Sequence, residues 1–340
     1  MKFHYSTYRI QCRHSFTISR SSNDSFNVVF VYLTQDGKTG MGEAAPSKRY
    51  GESFDQILSI LGHGTFSKLT DTNSLDKTLD ELRPLCQGCN SLEAAVDMAA
   101  HDLWGKIEDK PLFQKFGLNG QEMPVTSFTI GIDSPDVIQE KVKEAEKFPI
   151  LKVKLGTGSD KEIIREVRKV TGKPIRVDAN EGWNLEEAKN MCDWLSSQNV
   201  EFVEQPLPAN KLSETAILKE TSTLKLIADE NSLTASDIPE LENAFHGINI
   251  KLMKCGGVDE ANKMIETAKN HKLEVMLGCM VESSLSVTAA AHLSPLVDYA
   301  DLDGNLLITN DPFEGVKVDK EGRLVLPSNP GLGVTMREQV

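Results

Sequence analysis

No stretch of the 340 residues is apolar for long enough to cross a bilayer, and no basic cluster offsets a net charge of −13. A membrane-spanning helix is therefore not expected, and neither nucleic acid nor an anionic membrane surface suits so acidic a chain as a partner. Met1 to Cys12 is polar, without the apolar core of a signal peptide. Cysteine is sparse: Cys12, Cys86, Cys89, Cys192, Cys255 and Cys279 read as reduced thiols of a cytoplasmic protein. Cys86-Gln87-Gly88-Cys89 has the spacing of a zinc knuckle, but no second pair completes a site. A glycine-rich phosphate turn after a first strand is also missing, which counts against an open doubly wound sheet. What remains is an ordinary 39% hydrophobic content in a chain long enough for a barrel and a modest second domain.

Residues 1 to about 120 read as an α+β module. Phe26 to Thr34 is β-rich, Asp36-Gly37 is a turn, and a short strand follows to Gly42, which together predict a hairpin. Ser53 to Leu61 and Ser74 to Leu82 are short helical segments. A longer one, with Ser91 as its cap, runs to Trp104. From Pro124 strands and helices alternate. The strands expected are Val125–Gly131, Ile150–Leu155, Pro174–Asp178, Val200–Glu204, Leu224–Asp229, Gly247–Lys251, Leu273–Gly278 and Val297–Asp303. Helices fit between them at Pro135–Lys147, Asp160–Val170, Leu185–Ser197, Ser213–Thr221, Asp237–Asn243, Val258–Asn270 and Glu282–His292. Eight strands joined by seven helices describe an α/β fold, a modified TIM barrel of (β/α)7β type. The expected division is a capping domain over 1–122, the barrel over 123–304, and a segment over 305–340 that returns to the cap.

The strand ends carry the chemistry. Lys154, Asp178, Glu204, Asp229 and Lys251 close successive apolar runs and are 24, 26, 25 and 22 residues apart. That spacing sets three carboxylates and two amines around one ring at the barrel mouth. A single aspartate at a strand end is commonly a helix cap. Three acids on successive strands, with lysines on both sides, instead suit one Mg²⁺ ion per subunit. Residues two apart share a strand face, so Lys152 points inward with Lys154, and Asp301 with Asp303. Lysines on the second and sixth strands would reach a metal-bound substrate from opposite sides. Lys152 and the cation would favour a neutral, basic amine at Lys154.

Lys152-Val153-Lys154, Asp178-Ala179-Asn180, Glu204-Gln205-Pro206, Ala228-Asp229-Glu230 and Asn249-Ile250-Lys251-Leu252 resemble the signature of the enolase superfamily, muconate-lactonizing subgroup, across essentially the whole chain. The resemblance implies metal ligands at Asp178, Glu204 and Asp229, with Asn180 and Glu230 beside them. It implies acid/base lysines at Lys154 and Lys251, with Lys152 assisting at the substrate carboxylate. Asp301-Leu302-Asp303-Gly304 is similar to the Asp-x-Asp motif of dipeptide epimerases, where two carboxylates bind a substrate ammonium. Phe16–Arg20 and Pro46–Ser53 look like the two specificity loops of L-Ala-D/L-Glu epimerases. Arg20 and Arg49, with Lys48, are candidates for a second substrate carboxylate. Met276–Met280 resembles the seventh-strand end of that group and would wall the pocket.

The expected activity is Mg²⁺-dependent epimerisation of a dipeptide at the α-carbon of its C-terminal residue. It would run by two-lysine proton transfer through an enediolate, on L-Ala-D/L-Glu from murein peptides. A cycloisomerase or o-succinylbenzoate synthase-type dehydratase of the same subgroup is the alternative, though neither uses an ammonium pocket. A non-catalytic metal-binding scaffold is a third reading. A homo-oligomer is compatible with the sequence, which specifies no symmetry.

Overall fold

The computed structural model describes residues 1–118 and 122–338. Its first module is an antiparallel meander of β1 (Lys2–Ile18), β2 (Ser21–Gln35) and β3 (Lys38–Ala44). Asp36 and Gly37 both take positive φ, 51° and 72°, as a tight hairpin turn requires. The long strand β1 pairs with β2 from Lys2 opposite Thr34 to Ile18 opposite Ser21, with a register break between Gln11 and Phe16. This corrects the expectation of a loop at Phe16–Arg20: Phe16–Ile18 end the strand and only Ser19 and Arg20 turn. As an edge strand β1 fully buries only Ile10 and Cys12, so its hydrophobic alternation is too shallow to stand out.

Helices α1 (Phe54–Gly62), α2 (Leu75–Leu82) and α3 (Asn90–Ile107) pack on the meander. Ser53 and Ser74 cap the first two. Helix α3 begins at Asn90, not at a Ser91 cap, and the Ser91 N–H donates to the buried Glu52 carboxylate at 3.2 Å. Strand β3 lies hard against α3: a Cβ on Gly42 would sit 1.9 Å from Ala95 O, and one on Gly40 2.0 Å from Ala99 O. A single turn, α4 (Leu112–Lys115), ends the module. The expected domain boundary at 122 adjoins residues 119–121, which lie outside the described residues, as do 339 and 340 at the end of the tail.

Eight parallel strands follow: β4 (Phe128–Ile130), β5 (Leu151–Lys154), β6 (Ile175–Asp178), β7 (Val200–Glu204), β8 (Lys225–Ala228), β9 (Gly247–Ile250), β10 (Glu274–Gly278) and β11 (Tyr299–Asp301). They neighbour one another in chain order, and a parallel bridge between Thr126 and Ala300 joins last to first. The helices between them are α5 (Pro135–Glu144), α6 (Asp160–Val170), α7 (Leu185–Ser196), α8 (Leu212–Thr221), the short α9 (Ile238–Leu241) and α10 (Leu252–Cys255), α11 (Val258–Asn270) and α12 (Ser284–Ala291). Apolar stripes on α5, α6, α7 and α11 face the core, whereas α12 is buried along its whole length. In α6, Ile163, Ile164 and Val167 are buried while Lys161 to Lys169 otherwise face outward. Helix α7 is started by an Asn184–Glu187 capping box.

The tail adds β12 (Phe313–Glu314), β13 (Lys317–Val318), β14 (Leu324–Val325) and β15 (Thr335–Met336) in two small antiparallel pairs. It touches the first module in several places. Arg13 N–H donates to Leu307 O at 2.8 Å, Thr309 N–H to Gln11 O at 2.9 Å, and Leu112 N–H to Gly331 O at 2.8 Å. The rings of Phe30 and Phe313 meet edge to face at 4.9 Å.

Candidate active site

Parallel register brings the acids level. Lys154 stands opposite Asp178 and Asp178 opposite Glu204. Asp229 follows the end of β8, and ligand atoms of Asp178, Glu204 and Asp229 all lie within 4.8 Å of one another, fully buried. Burial alone would raise Asp178, but the charges of Lys154 and Lys152 outweigh it and hold the carboxyl down at about 2. Asp229 is also held well below the ordinary range, because Lys251 and Lys254 overcome its burial. Glu204 goes the other way, pushed up to about 7 by burial and by Asp178. Its Oε2 lies 2.6 Å from Lys152 Nζ but accepts no well-directed hydrogen bond. Three crowded carboxylates, one with an unsatisfied oxygen, fit a hard divalent cation.

Four lysines meet these acids, Lys254 among them with its Nζ 2.6 Å from Asp229 Oδ1. Lys154 Nζ donates to Asp178 Oδ2 at 2.6 Å, and Lys251 Nζ to Asp229 Oδ2 at 2.7 Å. Lys152 Nζ reaches Glu204 Oε2 and Asp301 Oδ2 at 2.6 Å each, and Asp178 Oδ2 at 3.3 Å. Desolvation would lower both Lys152 and Lys251, yet the surrounding carboxylates outweigh it and raise both.

Beyond the triad, Asp301 ends the eighth strand and Asp303, expected to close it, instead lies two residues past its end at the start of a turn; both are nearly fully buried. Asp301 is already engaged by Lys152 and, at 2.7 Å, by Ser127 Oγ. Asp303 accepts the Thr129 N–H on Oδ2 at 2.6 Å, and burial and Asp301 push it up to about 7. A cavity of about 590 Å³ runs from these aspartates past Lys154 and Lys251 to the cap, where Phe16, Ile18, Tyr50 and Lys48 line it. The Phe16 ring centroid is 5.9 Å from Lys154 Nζ. Cys279 and Met280 line the cavity as expected, but Met276 does not: it packs below with Phe202 and Ile227.

The two cap arginines are not free. Arg20 donates to Glu230 Oε1 at 2.6 Å and to Asn180 O at 2.9 Å. Arg49 holds both oxygens of Glu181 at 2.6 Å. Asn180 and Glu230, flanking two of the triad acids, thus join cap to barrel, while the Asn180 N–H donates to Asp178 Oδ1 at 2.9 Å. Lys48, exposed at the cavity wall, has no such partner among the described residues.

Sequence reading does not pick out Ser127, Thr129, Glu181 or Lys254. The first three touch the site through partners far along the chain. Lys254 had a usable signal, since it is a lone lysine within the apolar run Leu252-Met253-Lys254-Cys255.

Residues 5–117 match the mandelate racemase / muconate lactonizing enzyme N-terminal domain, and residues 137–340 match the enolase C-terminal domain-like family. The chain belongs to this family of capped barrel enzymes. A Bacteroides thetaiotaomicron protein named L-Ala-D/L-Glu epimerase is 43% identical over 336 residues, covering 98% of this chain and 88% of that one. A Maribacter protein named L-Ala-D/L-amino acid epimerase is 40% identical, covering 99% and 100%. Among solved structures, a substrate-liganded L-Ala-D/L-Glu epimerase from Bacillus subtilis superposes with a TM-score of 0.91 at 29% identity, covering 98% of each chain. A Cytophaga hutchinsonii dipeptide epimerase complexed with Mg and D-Ala-L-Val also reaches 0.91, at 27% identity, covering 99% and 95%.

Proposed function

We propose that the protein epimerises dipeptides at the α-carbon of the C-terminal residue, with L-Ala-L-Glu and its D-Glu epimer as substrates, in murein peptide metabolism. One observation carries the reading. Lys154 and Lys251 bracket the buried triad from the ends of the second and sixth strands, while Asp301 and Asp303 lie at and just past the end of the eighth. Such a site meets a dipeptide at both ends.

Asp178, Glu204 and Asp229 would hold Mg²⁺, which when bound supplies Lewis-acid stabilisation of charge at the substrate carboxylate. Lys152 adds a fixed positive charge at the same place. One of Lys154 and Lys251 takes the α-proton, giving an enediolate, and the other returns a proton to the opposite face. Asp303, with Asp301, receives the N-terminal ammonium. Arg20 and Arg49 are assigned to the glutamate side chain, which would share them with Glu230 and Glu181. Support for dipeptides comes from the relatives' names, and for the metal from the chemistry of the triad. We also assign the domain limits 1–122, 123–304 and 305–340, and a reducing cytoplasmic setting, consistent with six free cysteines.

The test is proton NMR of L-Ala-L-Glu in D₂O with Mg²⁺ and an EDTA control. Loss of the Glu α-proton signal with appearance of the D-Glu diastereomer is expected. Full activity in both Lys154→Ala and Lys251→Ala would overturn the reading.

A further inference from the structure

Each acid of the triad has one oxygen held by a donor outside the acid/base set. Asp178 Oδ1 accepts the Asn180 N–H at 2.9 Å, Glu204 Oε1 the Asn249 amide at 2.7 Å, and Asp229 Oδ1 the Lys254 ammonium at 2.6 Å. The other three oxygens face Lys154, Lys152 and Lys251. The Lys254 side chain is wholly buried, and its Nζ donates to Asp229 Oδ1 and Asp229 O at 2.6 Å each and to Asn249 O at 2.9 Å. Three acceptors take all three N–H groups of an ammonium, so Lys254 has no proton left to exchange with a substrate.

Lys254 therefore ties down the side chain and backbone of Asp229 and the backbone of Asn249. The Asn249 side chain in turn holds Glu204, and it has little room to move: a Cβ on Gly278 would lie 2.6 Å from Asn249 Oδ1. Lys254 itself is fixed on α10, which Gly256 ends at φ 93°, and its carbonyl accepts the Asn90 amide of α3 at 2.7 Å.

We propose that Lys254 is a positioning residue that fixes Asp229, and through Asn249 also Glu204, so that each presents one oxygen to the divalent cation. The inference rests on the metal-site reading above. The sign of its effect separates it from simple charge balance. An ammonium beside a dication is repulsive, so if Lys254 only balanced charge, removing it would tighten cation binding. If it positions the ligands, removing it weakens binding by about 10–100-fold.

The experiment is calorimetric titration of Mg²⁺ into the full-length chain, the Lys254→Met variant and the Lys254→Gln variant, with thermal melts with and without Mg²⁺. The expected result is a 10–100-fold weaker Kd in Lys254→Met, a smaller loss in Lys254→Gln, which keeps a donor, and a reduced Mg²⁺-induced rise in Tm. A folded variant that binds Mg²⁺ as tightly as the parent, or more tightly, overturns the proposal. Should neither variant fold, ¹⁵N-lysine NMR of the parent decides. One ammonium signal protected from exchange must survive Mg²⁺ saturation, and its loss refutes the clamp. A parent that binds no Mg²⁺ would instead refute the metal-site reading itself.

Discussion

His101 on α3 is fully buried between two carboxylates. Its Nδ1 lies 3.3 Å from Asp97 Oδ1 and its Nε2 3.1 Å from Asp259 Oδ1. Arg83 reaches both acids at 3.1 Å, and Lys115 reaches Asp259 at 3.1 Å. Lys115 Nζ also lies 2.8 Å from His101 Nε2. With Nδ1 2.9 Å from Asp97 O, an imidazolium donates from Nε2 to Asp259 Oδ1, which Lys115 also reaches, whereas a neutral ring would accept from Lys115. Asp97 further accepts the Val258 N–H at 2.7 Å, which pins α3 to the start of α11, just past Lys251 and Lys254. Burial would lower the imidazole, but Asp97 and Asp259 outweigh it and raise it to about 9. The unfolded value is about 6.5. The folded state therefore prefers the imidazolium, and the stability this contributes is complete below pH about 6.5, declines above it and is gone once the pH passes about 9. The difference of roughly 2.5 units corresponds to about 3 kcal/mol.

Glu43, raised to about 8 by burial and Glu282, and Glu204, Glu230 and Asp303, each raised to about 7 by burial and neighbouring acids, lose stability over overlapping pH ranges. Isolating His101 thus requires a difference. Urea unfolding of the parent and His101→Gln would be followed at pH 6 and 9.5 in EDTA, by tryptophan fluorescence and circular dichroism, whose coincidence checks two-state behaviour. The parent should exceed the variant by about 3 kcal/mol more at pH 6 than at pH 9.5. A gap that stays the same at both pH values, within about 0.5 kcal/mol, would refute the buried imidazolium.

Lys251→Ala should lower epimerisation by about 10²–10⁴-fold while leaving solvent exchange of the α-proton in one epimer only, read by NMR in D₂O. Exchange lost equally from both epimers would contradict one lysine per face. Asp303→Asn should raise KM for a dipeptide by about 10–100-fold, the equivalent of one charge-assisted hydrogen bond, and narrow the preference over its N-acetylated form. An unchanged preference would remove Asp303 from the ammonium pocket. Gly42→Ala should destabilise the cap by about 1–3 kcal/mol in thermal or urea melts, because its Cβ meets the backbone of α3. A neutral outcome would mean that β3 and α3 separate freely.

The barrel was legible because its strands are short apolar runs ending in polar residues at a fixed period. That same period carried the triad and both lysines, since parallel register levels successive strand ends. Strand β1 was not legible, because one shallow buried face gives an edge strand little contrast. The state of the cap cations was hidden for another reason. Arg20 and Arg49 find Glu230 and Glu181 across 210 and 132 residues, and no local pattern encodes a partner at that distance. The motif makes Asp301 half of an ammonium pocket but says nothing of the donors its two oxygens have in Ser127 and Lys152, 174 and 149 residues away.

Those pairings bear on how substrate choice and chemistry are linked. Asn180 lies two residues beyond Asp178 and Glu230 one beyond Asp229, and both are held from the cap by Arg20. The cap thus meets the barrel on the residues that follow two of the three triad acids. An anionic side chain that draws Arg20 away from Glu230 would leave that buried carboxyl, already raised to about 7 by burial and by Asp229, without its cation. A substrate carboxylate must then compete with an ion pair already formed, so its net gain is smaller than a free guanidinium would provide. On the proposed reading, charge at the cap would set preference by exchange of partners, while the barrel keeps its lysines and acids in place.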